Sequence, residues 1–313
     1  MKGISFIKIR KTCLIIAAVV IVAGLLCSTV IFGTDLSINF AGGTIISYNY
    51  TGDINDADVK ALAETTFGSS VRVTKSSNVA GDTQVLTVEL VQNAAVSNDN
   101  VSKFNDEMEK KYEANGIKVA QSNAVDPTVG KGFFIKCLFA AGLGAIFVTI
   151  YVGLRFRKIG GVSAAGFALL ALLHDIIIAF CCYSVFGFDI DDNFIAVVLT
   201  LFGYSLNGTI VIYDRIRENK RMYGKSKTLE EVVDISVNQT FMRNLITSAT
   251  TFVAVTVVSV VCYMRGITSI MSFTVPMAIG IVAGCFSSVF LASPLWAGYK
   301  TRKAAKQAAK QAK

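Results

Sequence analysis

The feature that most constrains this chain is a set of six long apolar segments separated by polar or basic connections: Cys13–Phe32, Gly132–Leu154, Val162–Val185, Phe194–Tyr213, Met242–Tyr263 and Ser269–Trp296. A helix needs about 20 apolar residues to cross a hydrocarbon layer of about 30 Å. Lipid offers no partner to backbone N–H and C=O groups, so only helices or closed barrels can span it. Each segment meets the helical length. The sequence therefore predicts a polytopic α-helical membrane protein with six transmembrane helices. Composition agrees: 53% hydrophobic residues, 17% charged residues and a mean hydropathy of +0.55 exceed the needs of one soluble core. The first segment follows Lys2, Lys8, Arg10 and Lys11 and resembles a cleaved leader in its charge. Its apolar run is longer than a leader's, and no clear small-x-small site follows, so an uncleaved anchor is expected.

Cytoplasmic loops retain Lys and Arg, which sets the orientation. The basic N-terminus, Arg155/Arg157/Lys158, the segment Arg215–Lys227 and the tail from Lys300 alternate consistently with one side of a membrane, while Asp189, Asp191, Asp192 and the isolated Arg265 fall on the other. The expected layout is a cytoplasmic N-terminus (1–12), a first span (13–33), an extracytoplasmic domain (34–130), five further spans (131–297) and a basic cytoplasmic tail (298–313). A multi-pass protein of a bacterial inner membrane follows, with both termini in the cytoplasm. This topology accounts for most of the net charge of +8 without a nucleic-acid partner. The tail reads as a solvated helix near anionic lipid headgroups. All seven cysteines lie in the apolar spans, without disulfide or metal-ligand spacing, and read as packing residues.

Between the first two spans the pattern changes from continuous apolar to alternating. Leu36, Ile38 and Phe40 alternate, as do the residues after Gly42 and Gly43, which predicts a strand over 35–50 with a glycine irregularity. Asn55 or Asp56 can cap a helix that buries Val59 and Leu62 and stops at Gly68. Val71–Lys75 and Thr83–Val91 read as strands joined by a turn at Gly81-Asp82. A capped helix from about Ser97 aligns Val101, Phe104, Met108 and Tyr112, and Ile117–Gln121 closes the set. The order β-α-β-β-α-β is that of a small α+β, ferredoxin-like domain. It carries no histidine, no cysteine and no nucleophile beside a base, so binding or mechanical contact is expected rather than catalysis.

Charged groups at bilayer depth need a partner or a function, since insertion costs about 2.5–3.5 kcal/mol each. His174, the single histidine of the chain, and Asp175 sit side by side in the third span. Two readings stand: a proton-responsive or hydrated site, and a pair that satisfies donors between packed helices. The fourth span ends in Gly203-Tyr204-Ser205-Leu206-Asn207-Gly208-Thr209, small and amide residues suited to close helix contact, and continues into Asp214, Arg215, Arg217 and Glu218 at the cytoplasmic mouth. Hydropathy alone leaves Arg243 near the cytoplasmic interface, where it could snorkel.

These residues carry a family resemblance. Asp35, Gly42, Gly43 and Thr44 resemble the motif that opens the external domain of the SecD/SecF family. Leu173-His174-Asp175, Gly203–Asn207 with Asp214–Asn219, and Ser236–Thr240 with Arg243 are similar to its membrane half. The single short external domain points to the SecF side of the family. The resemblance implies a relative of the resistance-nodulation-division transporters that pairs with SecD in a twelve-span, pseudo-symmetric unit. It would act with the SecYEG channel and its ATPase SecA on the translocating polypeptide, assisting late translocation or release under the proton-motive force, and would be no enzyme and use no cofactor or metal. On this resemblance His174, Asp175, Asn207 and Arg243 are the intramembrane candidates. The family commonly has an aspartate directly after the position of Asn207, and here Gly208 stands there. Three accounts follow: a carboxylate of the SecD partner suffices, Asp175 substitutes, or export is assisted without proton coupling. A small-molecule or lipid exporter of the same superfamily, or a membrane scaffold, is the alternative function.

Overall fold

The computed structural model describes residues 4–32, 36–69, 71–77, 84–91, 98–125, 127–224, 226–265 and 267–311. Among them are six helices long and apolar enough to cross a membrane: Phe6–Thr29, Thr128–Arg155, Gly161–Phe186, Asp192–Tyr223, Leu229–Met264 and Ile270–Gln311. They follow the order of the six apolar segments but run past them at the ends. Hydropathy marks only the part of a helix that lipid would surround. The fourth and fifth helices, α7 (Asp192–Tyr223) and α8 (Leu229–Met264), have 32 and 36 residues. At 1.5 Å per residue they reach about 48 and 54 Å, well beyond a hydrocarbon layer of about 30 Å. Their polar ends are held by caps. Asp191 accepts from the Phe194 amide at 3.1 Å, and Thr228 and Glu231 form a reciprocal capping box at the start of α8.

The central helix is α6 (Gly161–Phe186), whose Ala164, Ala165, Ala168 and Ala171 are buried. Small side chains there admit close neighbours, which is how helices associate where lipid supplies no hydrophobic drive. The same logic governs α9 (Thr268–Phe286), which passes through a π-helical turn, Ser287–Ala292, into α10 (Ser293–Gln311). A Cβ on Gly280 would lie 2.8 Å from Leu201, and one on Gly284 would lie 3.2 Å from Ser205. Those two glycines let α9 approach α7. By contrast α5 (Pro127–Arg155) and α8 bury only 6% of their apolar windows, against 50% for α6 and α7. They form the outside of the bundle and present apolar faces to lipid or to a partner.

All basic clusters gather at one end. The first helix, α1 (Phe6–Leu26, followed by a π-helical turn to Phe32), begins against α8: Ser5 Oγ and the Ile7 amide donate to Asp234 at 2.7 and 2.9 Å, and Arg10 pairs with Glu230 at 2.7 Å. Asn238 accepts from the Ile4 amide at 3.0 Å and donates to its carbonyl at 2.7 Å. A side chain of another helix thus caps α1, whose own first turn has no acidic residue. Arg155 reaches Asp214 at the same end, at 3.4 Å.

Between α1 and α5 lies a small domain with a four-stranded sheet in the order β2-β3-β1-β4, every neighbouring pair antiparallel. Its strands are β1 (Gly43–Tyr50), β2 (Val71–Ser77), β3 (Gln84–Val91) and β4 (Lys118–Val125). Two helices, α3 (Asp56–Phe67) and α4 (Asn98–Lys111), supply Val59, Ala63, Phe104 and Met108 to a core with Ile46, Tyr48, Leu86 and Val88. Asn55 caps α3 by accepting from the Ala57 amide at 3.0 Å, and Gly68 ends it in the left-handed conformation, as the sequence predicts. Asp35, the Gly81-Asp82 turn and the cap near Ser97 lie outside the described residues.

The residues before the glycines correct the expectation of a strand. Leu36 makes an isolated bridge to Ile190, and Ile38–Ala41 form a one-turn helix, α2, with Ile38 and Phe40 buried. Three alternating apolar residues are too few to separate the two periods. Phe40 stacks against Phe133 and Phe134 of α5 at 5.7 and 5.0 Å between ring centroids, which favours the helical turn. Gly42, at φ +85°, ends that turn, and Gly43, at φ +149°, starts β1 where a Cβ would lie 2.0 Å from the Leu90 carbonyl oxygen. The glycine pair is a joint between the membrane surface and the sheet.

The domain is also tied to the loop between α6 and α7. The Ser37 amide donates to Ile190 O at 3.0 Å, Asn39 donates to Asp192 at 3.2 Å, and the Arg72 guanidinium pairs with Asp189. Burial pushes the Glu89 carboxyl up from its ordinary range, and the neighbouring Asp189 adds to the rise while Arg72 opposes it.

Candidate functional site

Asp175 lies about 21 Å along α6 from Gly161 and about 16 Å from Phe186, in the middle of the span. It is fully buried, and His174 beside it is 5% exposed. Its two carboxylate oxygens are divided between partners. Oδ1 faces His174 Nδ1 at 2.9 Å, whereas Oδ2 accepts from Ser205 Oγ of α7 at 2.5 Å and from Ser287 Oγ at 2.9 Å. Ser287 belongs to the π-helical turn after α9, an irregularity that recurs at functional positions. Its neighbour Ser288 donates to Ser205 O at 3.0 Å and accepts from Thr209 Oγ1 at 3.0 Å. Three helices therefore meet on one carboxylate.

Carboxylate, imidazole and hydroxyl groups thus form one enclosed hydrogen-bonded cluster between the helices.

The serines connect this core to a cavity of about 220 Å³ between α7, α8 and α9, lined by Tyr204, Ser205, Asn207, Gly208, Arg243, Asn244, Cys285 and Ser288 among others. Asn207 and Arg243 thus sit at the cavity, one helix away from Asp175 rather than in contact with it. Asn244 donates to Gly208 O at 3.5 Å. A Cβ on Gly208 would lie 3.1 Å from Ser288 Oγ and 4.0 Å from Asn244 Nδ2. That approach to Ser288 is tight, so any side chain at this position, a carboxylate included, would stand beside the hydroxyl chain only after Ser288 gave way by a few tenths of an ångström.

Arg243 also lines a second hollow of about 480 Å³ with Asp214, Arg215, Arg217, Glu218, Arg221 and Thr240. It forms no hydrogen bond or ion pair among the described residues and bridges the two hollows on the open side of the bundle. The charged residues near the C-terminal end of α7 pair locally: Arg217 with Asp214 at 2.8 Å and Arg215 with Glu218 at 2.6 Å. Arg215 Nε also donates to Gln239 at 2.6 Å, and buried Asn219 donates to Gln239 and Ser236 at 2.8 and 2.9 Å. That network joins α7 to α8 through Ser236 and Gln239, whereas Asn238 holds Ile4 at the start of α1.

Of the motif that opens the small domain, Gly42 and Gly43 form the joint described above, and buried Thr44 pairs with Leu90 and Ala124 across the sheet. Sequence reasoning missed Ser287, Ser288, Gly280 and Gly284. The spacing of the two glycines and the paired serines inside an apolar run were the available signals. No group of three His, Cys, Asp or Glu able to hold a metal ion occurs among the described residues.

A family model described as "Protein export membrane protein SecD/SecF, C-terminal" matches residues 104–302, which include His174, Asp175, Asn207, Gly208 and Arg243. The chain belongs to the SecD/SecF family. A protein translocase subunit SecF of Sebaldella termitidis is 36% identical over 267 residues, 84% of this chain and 81% of that protein. A protein translocase subunit SecDF of Brucella abortus is 35% identical over 84% of this chain but only 33% of its own length. The crystal structure of SecDF from Thermus thermophilus, a translocon-associated membrane protein, matches at a TM-score of 0.74 with 24% identity, over 96% of this chain and 39% of that one. This chain therefore corresponds in fold to one part of a longer SecDF chain and to most of a separate SecF.

Proposed function

We propose that this chain is the SecF-type subunit of a SecD/SecF pair and assists the Sec translocase in the late translocation or release of exported proteins. The observation that carries the reading is the family match over residues 104–302, together with a SecF relative that is 36% identical over 84% of this chain and 81% of its own length. Relatives named SecDF, of which this chain matches a third or somewhat more, support SecD as its partner. The poorly buried α8 and the two hollows that open beside it support that face as the seat of a second six-span body. Further partners on this reading are the SecYEG channel, SecA and the translocating polypeptide.

The bundle would lie in the bacterial inner membrane with its basic end in the cytoplasm. The external domain would be ferredoxin-like, a reading supported by the sheet order β4-β1-β3-β2 with two helices packed on it. Energy would come from the proton-motive force, of which about 2.3 kcal/mol per charge is available at 100 mV. His174 and Asp175 would hold a proton, Ser205 and Ser288 would connect them to the cavity, and Arg243 would meet a carboxylate of the SecD partner in place of one at Gly208.

Affinity purification of the tagged chain from its own membranes tests the pairing. A separately encoded SecD-type protein should copurify in mild detergent. Recovery of the chain alone, or only as copies of itself, would count against the reading.

A further inference from the structure

The cavity of about 220 Å³ beside α8 has an unbalanced charge. Ser205 lines it and also donates to Asp175, so the cavity lies at the depth of that mid-span carboxylate, where a charge without a partner is costly. Arg243 is the one charged residue among those that line it. The hollow on the other side of Arg243 has no carboxylate to spare. Its acids, Asp214 and Glu218, are paired with Arg217 and Arg215, and Arg221 adds a further cation. The acids outside the described residues, Asp35, Asp82 and Asp126, all lie between α1 and α5 in the sequence.

The groups around the cation are neutral donors. The Tyr204 hydroxyl lines the cavity and is buried with no hydrogen-bond partner among the described residues. Such a group calls for a ligand or a water. Asn207 adds an amide, and Asn244 spends one N–H on the Gly208 carbonyl at 3.5 Å and keeps the other. A guanidinium has five N–H donors and accepts nothing. A cation would meet like charge here, and a neutral ligand would leave Arg243 uncompensated. One positive charge suits one negative charge, and the volume holds a small ion with a few waters.

We propose that this cavity binds a small inorganic monoanion of chloride size, held by the Arg243 guanidinium with the Tyr204 hydroxyl and the Asn207 and Asn244 amides as further donors. The ion neutralises Arg243 on the face where α8 is poorly buried. A carboxylate brought by a partner would use the same donors, so ion and carboxylate exclude each other and pairing would release the ion. That consequence rests on the pairing reading, whereas the site itself does not.

The test uses the purified full-length chain in detergent without added phospholipid. Its thermal unfolding midpoint is read while sodium chloride or sodium bromide replaces sodium gluconate at constant ionic strength and pH. The midpoint should rise by several degrees and saturate with chloride or bromide, as binding to the folded form requires. Asn244→Asp sets a carboxylate of the same size beside Arg243, and Arg243→Gln removes the cation. Both variants should lose the rise, and Arg243→Lys should keep part of it. Non-specific salt effects are common to all four chains, and two loss variants keep the test decisive where one of them fails to fold. A parent midpoint indifferent to chloride would overturn the proposal, as would an undiminished rise in Asn244→Asp or Arg243→Gln. Stabilisation by added phosphatidylglycerol and not by chloride would assign the cavity to a lipid headgroup and overturn it too.

Discussion

Replacing Asp175 with alanine is expected to lower the yield of folded protein and its midpoint in detergent unfolding. The substitution removes the acceptor shared by His174, Ser205 and Ser287, all of them buried, and leaves Ser287 only the Gly284 carbonyl at 3.3 Å. Hydrogen bonds inside membrane bundles contribute roughly 0.6–2 kcal/mol each, so the loss amounts to about 2–5 kcal/mol with the vacated volume included. Against a total stability of about 5–15 kcal/mol that is a large fraction. Asp175→Asn separates packing from protonation. The amide keeps one acceptor oxygen for the serines but cannot exchange a proton with His174, so its folded yield should stay near that of the parent while export falls. An alanine variant as stable as the parent would show that the cluster does not hold α6, α7 and the π-helical turn together.

Gly43→Ala should have the second large effect, confined to the external domain. At φ +149° an L-residue is strained, and the new methyl would lie 2.0 Å from the Leu90 carbonyl oxygen, a backbone atom that cannot swing aside. The cost is expected to exceed about 3 kcal/mol, enough to open β1 from β3 in a domain this small. Limited proteolysis from the external side should cut the variant within the sheet while the six spans remain inserted. Gly68→Ala is the comparison, since its φ of +66° is also left-handed but its surroundings are empty, and about 1 kcal/mol is expected there. Equal protease resistance of Gly43→Ala and the parent would remove the joint from the account.

The six spans were legible because lipid imposes a length and a polarity that no other environment does. Helix α3 of the small domain was legible from its caps, Asn55 and Gly68. The site was legible only in part. A histidine and an aspartate in an apolar run announce themselves, whereas Ser287 and Ser288 are ordinary residues in a membrane helix until a π-helical turn brings them to Asp175 and Thr209. Hydropathy places Arg243 near an interface but is blind to which neighbour it faces. Its position between the two hollows comes from the packing of α8 on α7, through side chains such as Gln239 and Asn244 that hydropathy scores merely as polar. The residues before Gly42 were misread because Phe40 answers to the rings of α5, a partner distant in sequence.

The central claim is that this chain assists export from within the membrane. Pulse–chase labelling of a secreted precursor in cells depleted of the protein tests it most directly. Slowed signal-peptide cleavage and release, restored by the parent chain and not by Asp175→Asn, is the predicted result. Unchanged processing kinetics in fully depleted cells would contradict the account.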